Sequence, residues 1–276
     1  MLKIRECSDL HLGRDWDRDG VNQFDQILPA LTTDSETVLV IAGDLGSHHC
    51  YSRSINFLQI ALSRFRHVIF VLGNHDYYGG YLQTVEAELA TAAHTAGLDV
   101  TRLTIAGQGV QDVSIDGVRF LCTTLWSNLT PNATRDRTIR QSLNDYVYIR
   151  NSRTYSTIST SDTHAAHEAS VSELCAALQA GPRDRTVVVS HHLPTWAAVA
   201  PKYMLSERDR HITAAFASNL DQLITDFGPT MWFFGHTHDA WVGRIHNTQL
   251  VCNPLGYVSE NNLRAGRFSL DHVWEI

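Results

Sequence analysis

The sequence predicts an α/β fold that starts with a parallel β-sheet and crossover helices. Two observations predict it. Apolar runs rich in β-branched residues cover 2–7, 38–42 and 68–72, and amphipathic segments separate them. Strand, helix, strand, helix, strand is the order that produces parallel strands joined by right-handed crossovers.

The two intervening segments each carry one apolar stripe at helical spacing. Such a stripe packs against a sheet while the opposite face of the helix meets water. The stripes are formed by Phe24, Ile27, Leu28 and Leu31, and then by Ile55, Leu58, Leu62 and Phe65.

From about Val110 the apolar pattern changes to period two, which indicates an antiparallel portion. Asp116-Gly117 lies between two such stretches and predicts a tight hairpin turn. In the remaining chain, predicted helices and strands alternate again. We expect helices at 171–178 and 212–227, and strands at 186–189, 231–234, 241–245, 250–252 and 268–276.

The stretch 127–163 interrupts this alternation, because it is polar and has no long apolar run. We interpret it as a lid inserted into a single domain that spans 1–276. A solvated surface excursion is the alternative. Its arginines are Arg135, Arg137, Arg140, Arg150 and Arg153.

Charge and cysteine content narrow the classes of function. The net charge is -7 with 22 Lys and Arg, which disfavours binding to bulk nucleic acid. The five cysteines form no CxxC pair, which argues against a disulfide framework and a thiolate zinc site and fits a reducing compartment. No segment approaches the roughly 20 apolar residues of a membrane span. We therefore expect a cytoplasmic protein without a membrane partner.

Polar side chains follow five of the predicted strands. The carboxyl ends of parallel strands share one edge of a sheet, where ligand sites form. The five segments are Asp9-Leu10-His11, Gly43-Asp44, Gly73-Asn74-His75-Asp76, Ser190-His191-His192 and Gly235-His236-Thr237-His238.

The residue types at this edge are Asp, Asn and His. Imidazole with carboxylate favours Mn, Fe, Zn or Ni, whereas Mg or Ca sites use oxygen ligands almost alone. Each motif by itself is weak, since a single His is more often a hydrogen-bonded core residue. Five motifs in this order, each at the end of a strand, predict a metal site.

Together these segments resemble the five-block signature of the calcineurin-like metallophosphoesterases, and they cover residues 9–238. The resemblance implies a four-layer αββα sandwich of two mixed β-sheets with a binuclear metal centre, and Mn is the ion we favour. It implies that one ion is held by Asp9, His11, Asp44 and His238. The second would share Asp44 and be held also by Asn74, His191 and His236.

The resemblance further implies that His75 faces the leaving-group oxygen as a proton donor or charge stabiliser. Two metal ions activate a water and neutralise charge on the phosphate, and a nearby acid assists departure of the leaving group. Protein Ser/Thr phosphatases extend the second block to GDxVDRG, but here Leu45-Gly46-Ser47 follows Asp44. A protein phosphatase is therefore disfavoured, and the group that orients His75 stays open.

Two further choices remain at this stage. His191 and His192 are adjacent and should point to opposite faces of a strand, and the family pattern selects His191 as the ligand. Tyr77 and Tyr78 could stack on a substrate ring or could pack in the core or at the rim.

The leading functional hypothesis is hydrolysis of a small phosphate monoester or diester, with a nucleotide as one candidate. Arg135, Arg137 and Arg140 would bind its additional phosphates. A nuclease acting on DNA or RNA ends is the alternative, and a non-catalytic scaffold of the same fold is the third reading. Retention of every expected ligand type argues against the scaffold.

Overall fold

Two mixed β-sheets form the centre of the computed structural model, which describes residues 1–13, 23–260 and 262–276. The first sheet has the strand order β11-β1-β2-β3-β4. Strands β1 to β4 are parallel, and β11 adds an antiparallel edge. The strands are β1 (Lys3–Cys7), β2 (Thr37–Ala42), β3 (His67–Val71), β4 (Leu103–Ala106) and β11 (Trp274–Glu275).

The second sheet has the order β5-β6-β7-β8-β10-β9, in which β6, β7, β8 and β10 are parallel. Its outer strands β5 and β9 are antiparallel to their neighbours. Asp116 and Gly117 both have positive φ, 50° and 76°, as the predicted two-residue hairpin requires. The strands are β5 (Gln111–Ile115), β6 (Val118–Thr123), β7 (Thr186–Ser190), β8 (Met231–Phe233), β9 (Trp241–Ile245) and β10 (Thr248–Cys252).

Helices cover the outer faces of the two sheets. The longest, α6, begins with a capping box in which Ser159 and Asp162 satisfy each other's backbone N–H groups. The helices are α1 (Gln23–Ile27), α2 (Tyr51–Arg64), α3 (Val85–Thr95), α4 (Ala133–Ser142), α5 (Asp145–Tyr148), α6 (Thr160–Ala180), α7 (Glu207–Thr213) and α8 (Asp221–Phe227).

The core has three apolar layers, which together confirm the four-layer αββα sandwich. Alternate residues of β2 show how it is built. Val38 and Val40 face the space between the sheets, while Leu39 and Ile41 face α1, α2 and α3. A third cluster lies between the second sheet and helices α6 and α8. Strands buried on both faces explain the continuous apolar runs of the sequence.

Three predicted elements were wrong in extent. The apolar stripe that was assigned to the first helix continues past Pro29, but α1 ends at Ile27, since a helix rarely continues through a proline. The helix expected over 212–227 is divided into α7 and α8. Between them Phe216 accepts a backbone hydrogen bond from Leu193. Of the strand expected at 268–276, only β11 forms.

The inserted stretch 127–163 contains α4, α5 and the start of α6. Helix α4 packs on α7, and the backbone of the insertion is hydrogen-bonded to the main body between Tyr148 and Gly79 and between Arg150 and Gly80. The insertion is therefore anchored beside the strand ends of the first sheet. Among the described residues, no helix is long and apolar enough to cross a membrane.

Candidate metal centre

The seven proposed ligands meet where the carboxyl ends of both sheets lie side by side. The sequence pattern by itself suggested one sheet edge, and this detail was wrong. Strands β1, β2 and β3 of the first sheet and β7 and β8 of the second supply the ligand-bearing loops. The side chains brought together are Asp9, His11, Asp44, Asn74, His191, His236 and His238.

Unusual backbone conformations place several of these side chains. Asp9, His11, Asp44 and His236 all have positive φ, between 45° and 68°. A non-glycine residue in this region is strained and persists only where surrounding contacts hold it. Here the backbone N–H groups of Asp9 and His11 donate to the carbonyls of Gly43 and Asp44. The first two ligand loops therefore hold each other in the strained conformation.

Two glycines leave room for the neighbouring ligands. A Cβ on Gly43 would lie 2.0 Å from Nδ1 of His191, and Gly43 also has a φ of +93°. A Cβ on Gly73 would lie 2.1 Å from Oδ1 of Asp44. Any side chain at either position would displace a ligand, which explains the glycines before Asp44 and Asn74.

Asp9, His11 and His238 form what we call the outer group. The Nε2 atoms of His11 and His238 are 3.0 Å apart, and His238 Nε2 is 3.7 Å from Oδ1 of Asp9. Both imidazoles are largely buried, with 7% of the His11 side chain and 14% of the His238 side chain exposed. On its other side, His238 Nδ1 donates to Glu260 Oε2 at 2.6 Å. A carboxylate behind a histidine fixes the tautomer and turns the other nitrogen towards a metal.

Asp44, Asn74, His191 and His236 form the inner group, and all four are buried. His191 Nε2 lies 3.0 Å from Asn74 Oδ1, 3.2 Å from His236 Nδ1 and 3.4 Å from Asp44 Oδ1. The other oxygen of Asp44 lies 3.8 Å from His11 Nε2. Asp44 therefore presents one oxygen to each group.

The donor chemistry of the inner group fits a bound cation. Nδ1 of His191 is 2.9 Å from the Ala42 carbonyl oxygen, so it carries the proton and leaves a lone pair on Nε2. Asn74 donates its amide N–H to Asp145 at 2.8 Å, so its Oδ1 also presents a lone pair. Two lone pairs that face each other at 3.0 Å have no proton to share, and a metal ion resolves the repulsion.

The protonation states also suit metal binding. Burial lowers the pKa of His11, His191 and His236 well below the usual histidine range, so these imidazoles are neutral. Burial raises the pKa of Asp9 to about 6. Burial also lowers the pKa of His238, but the hydrogen bond to Glu260 and the negative charges of Asp9, Glu260 and Asp239 together raise the pKa overall.

His75 is oriented by two tyrosines. Its ring stacks on Tyr78 at a centroid distance of 4.3 Å, and its Nε2 is 3.2 Å from the Tyr257 hydroxyl. Its backbone N–H donates to Asp44 Oδ1. Burial lowers the pKa of His75 to about 3. Asp76 does not orient this ring, because its carboxylate accepts hydrogen bonds from backbone N–H groups in the neighbouring loops.

His192 packs beside the inner group, with its ring centroid 4.3 Å from that of His236 and 5.2 Å from that of His191. Its ring plane is turned by 87° from that of His191, and its Nδ1 lies 3.2 Å from the Thr124 carbonyl oxygen. Both residues follow β7, which ends at Ser190, so the strand alternation that predicted opposite directions does not apply here, and His191 as the ligand stays a prediction.

A cavity of about 410 Å³ opens over the metal centre. Its lining includes the inner-group residues Asp44, Asn74 and His236, together with His75 and His238. The rest of its wall comes from the insertion, from the segment that leads into α7, and from the loop after β10.

The structure does not bring the residues proposed for substrate binding to this cavity. Tyr77 is fully buried and its hydroxyl lies 3.2 Å from that of Thr124, whereas the adjacent Tyr78 lines the cavity. Arg135, Arg137 and Arg140 lie on α4 and are not among the lining residues. Arg135 instead donates to the Thr130 carbonyl oxygen at the start of its own helix.

Sequence reasoning missed Asp145, Glu260 and Tyr257, which contact Asn74, His238 and His75 respectively. None belongs to a sequence motif, and each is brought to its partner by the fold. Only the position of Asp145 inside an unexplained polar insertion gave any signal.

Fold and site define a class of protein: an α/β enzyme with clustered Asp, Asn and His ligands for divalent metal ions. The profile of the calcineurin-like phosphoesterase family matches residues 2–240, and the chain belongs to that family. It is thus a phosphoesterase, and metal-dependent hydrolysis of phosphate esters is its general chemistry.

Solved structures resemble the chain at low sequence identity. The phosphopantetheinyl hydrolase PptH from Mycobacterium tuberculosis aligns with a TM-score of 0.68 and 15% identity, over 95% of this chain and 92% of that one. A protein described as a 5′-nucleotidase from Staphylococcus aureus aligns with a TM-score of 0.45 and 12% sequence identity. The alignment covers 92% of this chain and 48% of that one. No curated protein sequence gives a significant match.

Proposed function

We propose that the chain hydrolyses a small phosphate monoester or diester with two divalent metal ions, one in the outer group and one in the inner group. One observation carries this proposal: Asp44 directs one oxygen to His11 and the other to His191, between two sets of converging ligands. Mn is the ion we favour, with Fe, Zn or Ni as alternatives, because imidazole and carboxylate together suit these ions.

When bound, the two ions would supply Lewis-acid stabilisation of the phosphate and a nucleophilic water. The protein's own residues do the rest. The buried Asp44, Asn74 and His191 fix the inner site, and the cavity above it restricts water around the substrate. His75 lies at the rim of this site with Nε2 directed to the Tyr257 hydroxyl. Its pKa of about 3 keeps the ring neutral near neutral pH, so from that position His75 can donate a hydrogen bond to the departing oxygen.

A small substrate is favoured over a polynucleotide. The net charge of -7 provides no broad basic surface, and the described residues that line the cavity include a single Lys or Arg, Lys202. We therefore expect binding with a shallow salt dependence, whereas a nuclease would show a steep one. Phosphopantetheinyl compounds and nucleotides, which the names of the two similar structures point to, are candidates to include in a substrate panel.

The domain and compartment assignments remain proposals. We propose a single domain over 1–276 with 127–163 as its lid, supported by the position of Asp145 and Leu143 in the cavity wall. We propose a reducing, cytoplasmic location because four cysteines are free thiols, namely Cys7, Cys122, Cys175 and Cys252.

Metal removal tests the proposed function. Protein treated with chelator should lose hydrolysis of 4-nitrophenyl phosphate and its bis-ester, and Mn should restore more activity than Mg because of the imidazole-rich ligand set. Steady-state rates with each ion in turn provide the measurement. Full activity in the metal-free protein would contradict the proposal, and rescue by Ca equal to that by Mn would contradict the assigned ligand chemistry.

A further inference from the structure

We propose that the cavity over the metal centre is a binding subsite for an uncharged, apolar organic group, so that the substrate is a phosphate ester with no second anionic group near the reacting phosphate. This inference rests on the proposed function and specifies its substrate class. It replaces the polyphosphate nucleotide suggested by the arginines of the insertion.

The apolar surface begins at the metal centre itself. Phe216 stacks on the ring of His236 at a centroid distance of 4.2 Å and an interplanar angle of 29°. Phe216 also lines the cavity, and Leu193 and Ile212 continue the same wall. A group attached to a phosphate at the inner site would therefore meet aromatic and aliphatic carbon first.

Two further lining residues are also apolar. Leu143 from the insertion and Val199 from the segment before α7 both line the cavity and are only partly buried. Helix α4 packs on α7, and Arg208 Nη2 donates to Ser142 Oγ at 3.0 Å beside Leu143. The insertion and the segment around α7 are thus held together, and both contribute apolar side chains to the cavity wall.

The charged side chains of the wall are already paired. The ammonium group of Lys202 lies 2.8 Å from the Asp239 carboxylate. Asp209 accepts the backbone N–H of Ser206 in a capping box at the start of α7. Asp145 accepts from Asn74 and Tyr78. Lys202 is the single Lys or Arg among the described lining residues, and a second phosphate or carboxylate would have to compete with Asp239 for it.

The size of the cavity suits this assignment. A volume of about 410 Å³ lies in the range of small-molecule sites. Each fully buried methylene group strengthens binding by about fourfold. An alkyl chain of several carbons should therefore bind more tightly than a chain of the same length that ends in a charge.

Matched esters test the subsite directly. Hexyl phosphate and 6-phosphonooxyhexanoate have the same six-carbon chain next to the reacting phosphate and differ at the far end. With the Mn-loaded enzyme we expect kcat/KM to be at least about tenfold higher for hexyl phosphate, with most of the difference in KM, because the far end contributes uniform binding. Equal values, or a preference for the carboxylate, would overturn the inference.

A charge placed in the wall should reverse this preference. Ile212→Lys should lower kcat/KM for hexyl phosphate and raise it for 6-phosphonooxyhexanoate. Ile60→Lys is the matched control, since Ile60 is an exposed residue of α2 outside the cavity. If circular dichroism shows that Ile212→Lys is unfolded, Val199→Lys tests the same wall. An unchanged ratio in the folded variant would overturn the inference.

Two additional measurements separate this inference from the proposed function. Calorimetry on the Mn-loaded protein should show tighter binding of hexylphosphonate than of 6-phosphonohexanoate, independently of turnover, and the reverse order would overturn the inference. Metal-dependent hydrolysis of 4-nitrophenyl phosphate without any preference for hexyl phosphate would reject the subsite alone. No hydrolysis of any ester by the Mn-loaded protein would reject the proposed function and the subsite with it.

Discussion

The outer and inner ligand groups differ in the acceptors that hold their histidines by hydrogen bonds. In the outer group, His238 has 14% of its side chain exposed and donates to Glu260, from the loop after β10. The inner group is buried, and behind His191 stands the carbonyl of Ala42 at the end of β2. One group is thus supported by a surface loop and the other by the core of the first sheet.

This difference predicts unequal metal binding. Backbone at the end of a central strand moves little, so the inner ligands are preorganised and water reaches them poorly. The outer ligands depend on a carboxylate that is itself partly exposed. We expect the inner ion to bind more tightly and to exchange more slowly than the outer ion.

His75 belongs to neither group, and its replacement should have the largest effect on turnover without an effect on metal. His75→Gln should lower kcat by about 10²- to 10³-fold on an alkyl phosphate, as is typical for loss of a hydrogen-bond donor that stabilises charge in the transition state. The loss should be smaller for 4-nitrophenyl phosphate, whose leaving group needs less stabilisation. The measurement is kcat on both esters together with bound Mn. Loss of an ion from His75→Gln would instead make His75 a ligand.

Replacement of Asp145 should weaken metal binding only at the inner group. Asp145→Asn replaces the carboxylate that accepts from the amide of Asn74 with a neutral, weaker acceptor, and loss of such a partner typically weakens metal binding by about 10- to 100-fold. Chelator competition in the His11→Ala background, which leaves the inner group intact, should show this weakening. In the His236→Ala background, we expect Asp145→Asn to leave metal binding unchanged. Asp136→Asn, on the same insertion, is the control.

If Asp145→Asn weakened Mn binding equally in both backgrounds, Asp145 would act on the stability of the fold and would not position Asn74. A denaturation midpoint measured for each variant would show this separately.

Replacement of Glu260 should weaken metal binding only at the outer group, and this is the smallest effect we expect. Glu260→Gln should weaken Mn binding by about tenfold in the His236→Ala background, which retains the outer group, and should leave the His11→Ala background unchanged. The effect is smaller because Glu260 is partly exposed and water can replace it behind His238. Equal weakening in both backgrounds would remove the distinction between the two groups.

The sequence predicted the ligand-bearing loops well, because each follows a strand whose apolar run is continuous. Such strands are buried on both faces, and their ends are the only places where polar side chains can cluster. Asp44 and Asn74 could therefore be located by strand position and a preceding glycine. The same reasoning placed the hairpin at Asp116-Gly117.

The partners of these ligands could not be predicted in this way. Asp145 is 71 residues from Asn74, and Glu260 is 22 residues from His238, and only tertiary packing brings each pair together. Composition also directed the substrate hypothesis to the arginines of the insertion, and Arg135, Arg137 and Arg140 are not among the lining residues of the cavity. The arginines on α4 are polar residues of a packed helix, whereas the cavity wall uses apolar residues such as Ile212 and Leu143 that pattern analysis could not separate from core.

Counting bound ions tests the central claim, that two groups hold one ion each with Asp44 between them. Equilibrium dialysis against Mn followed by elemental analysis should give two ions per chain for the wild type. His11→Ala and His236→Ala should each retain one ion, and Asp44→Asn should bind both weakly. One ion per chain in the wild type, or loss of both ions from either histidine variant with the fold intact, would contradict the account.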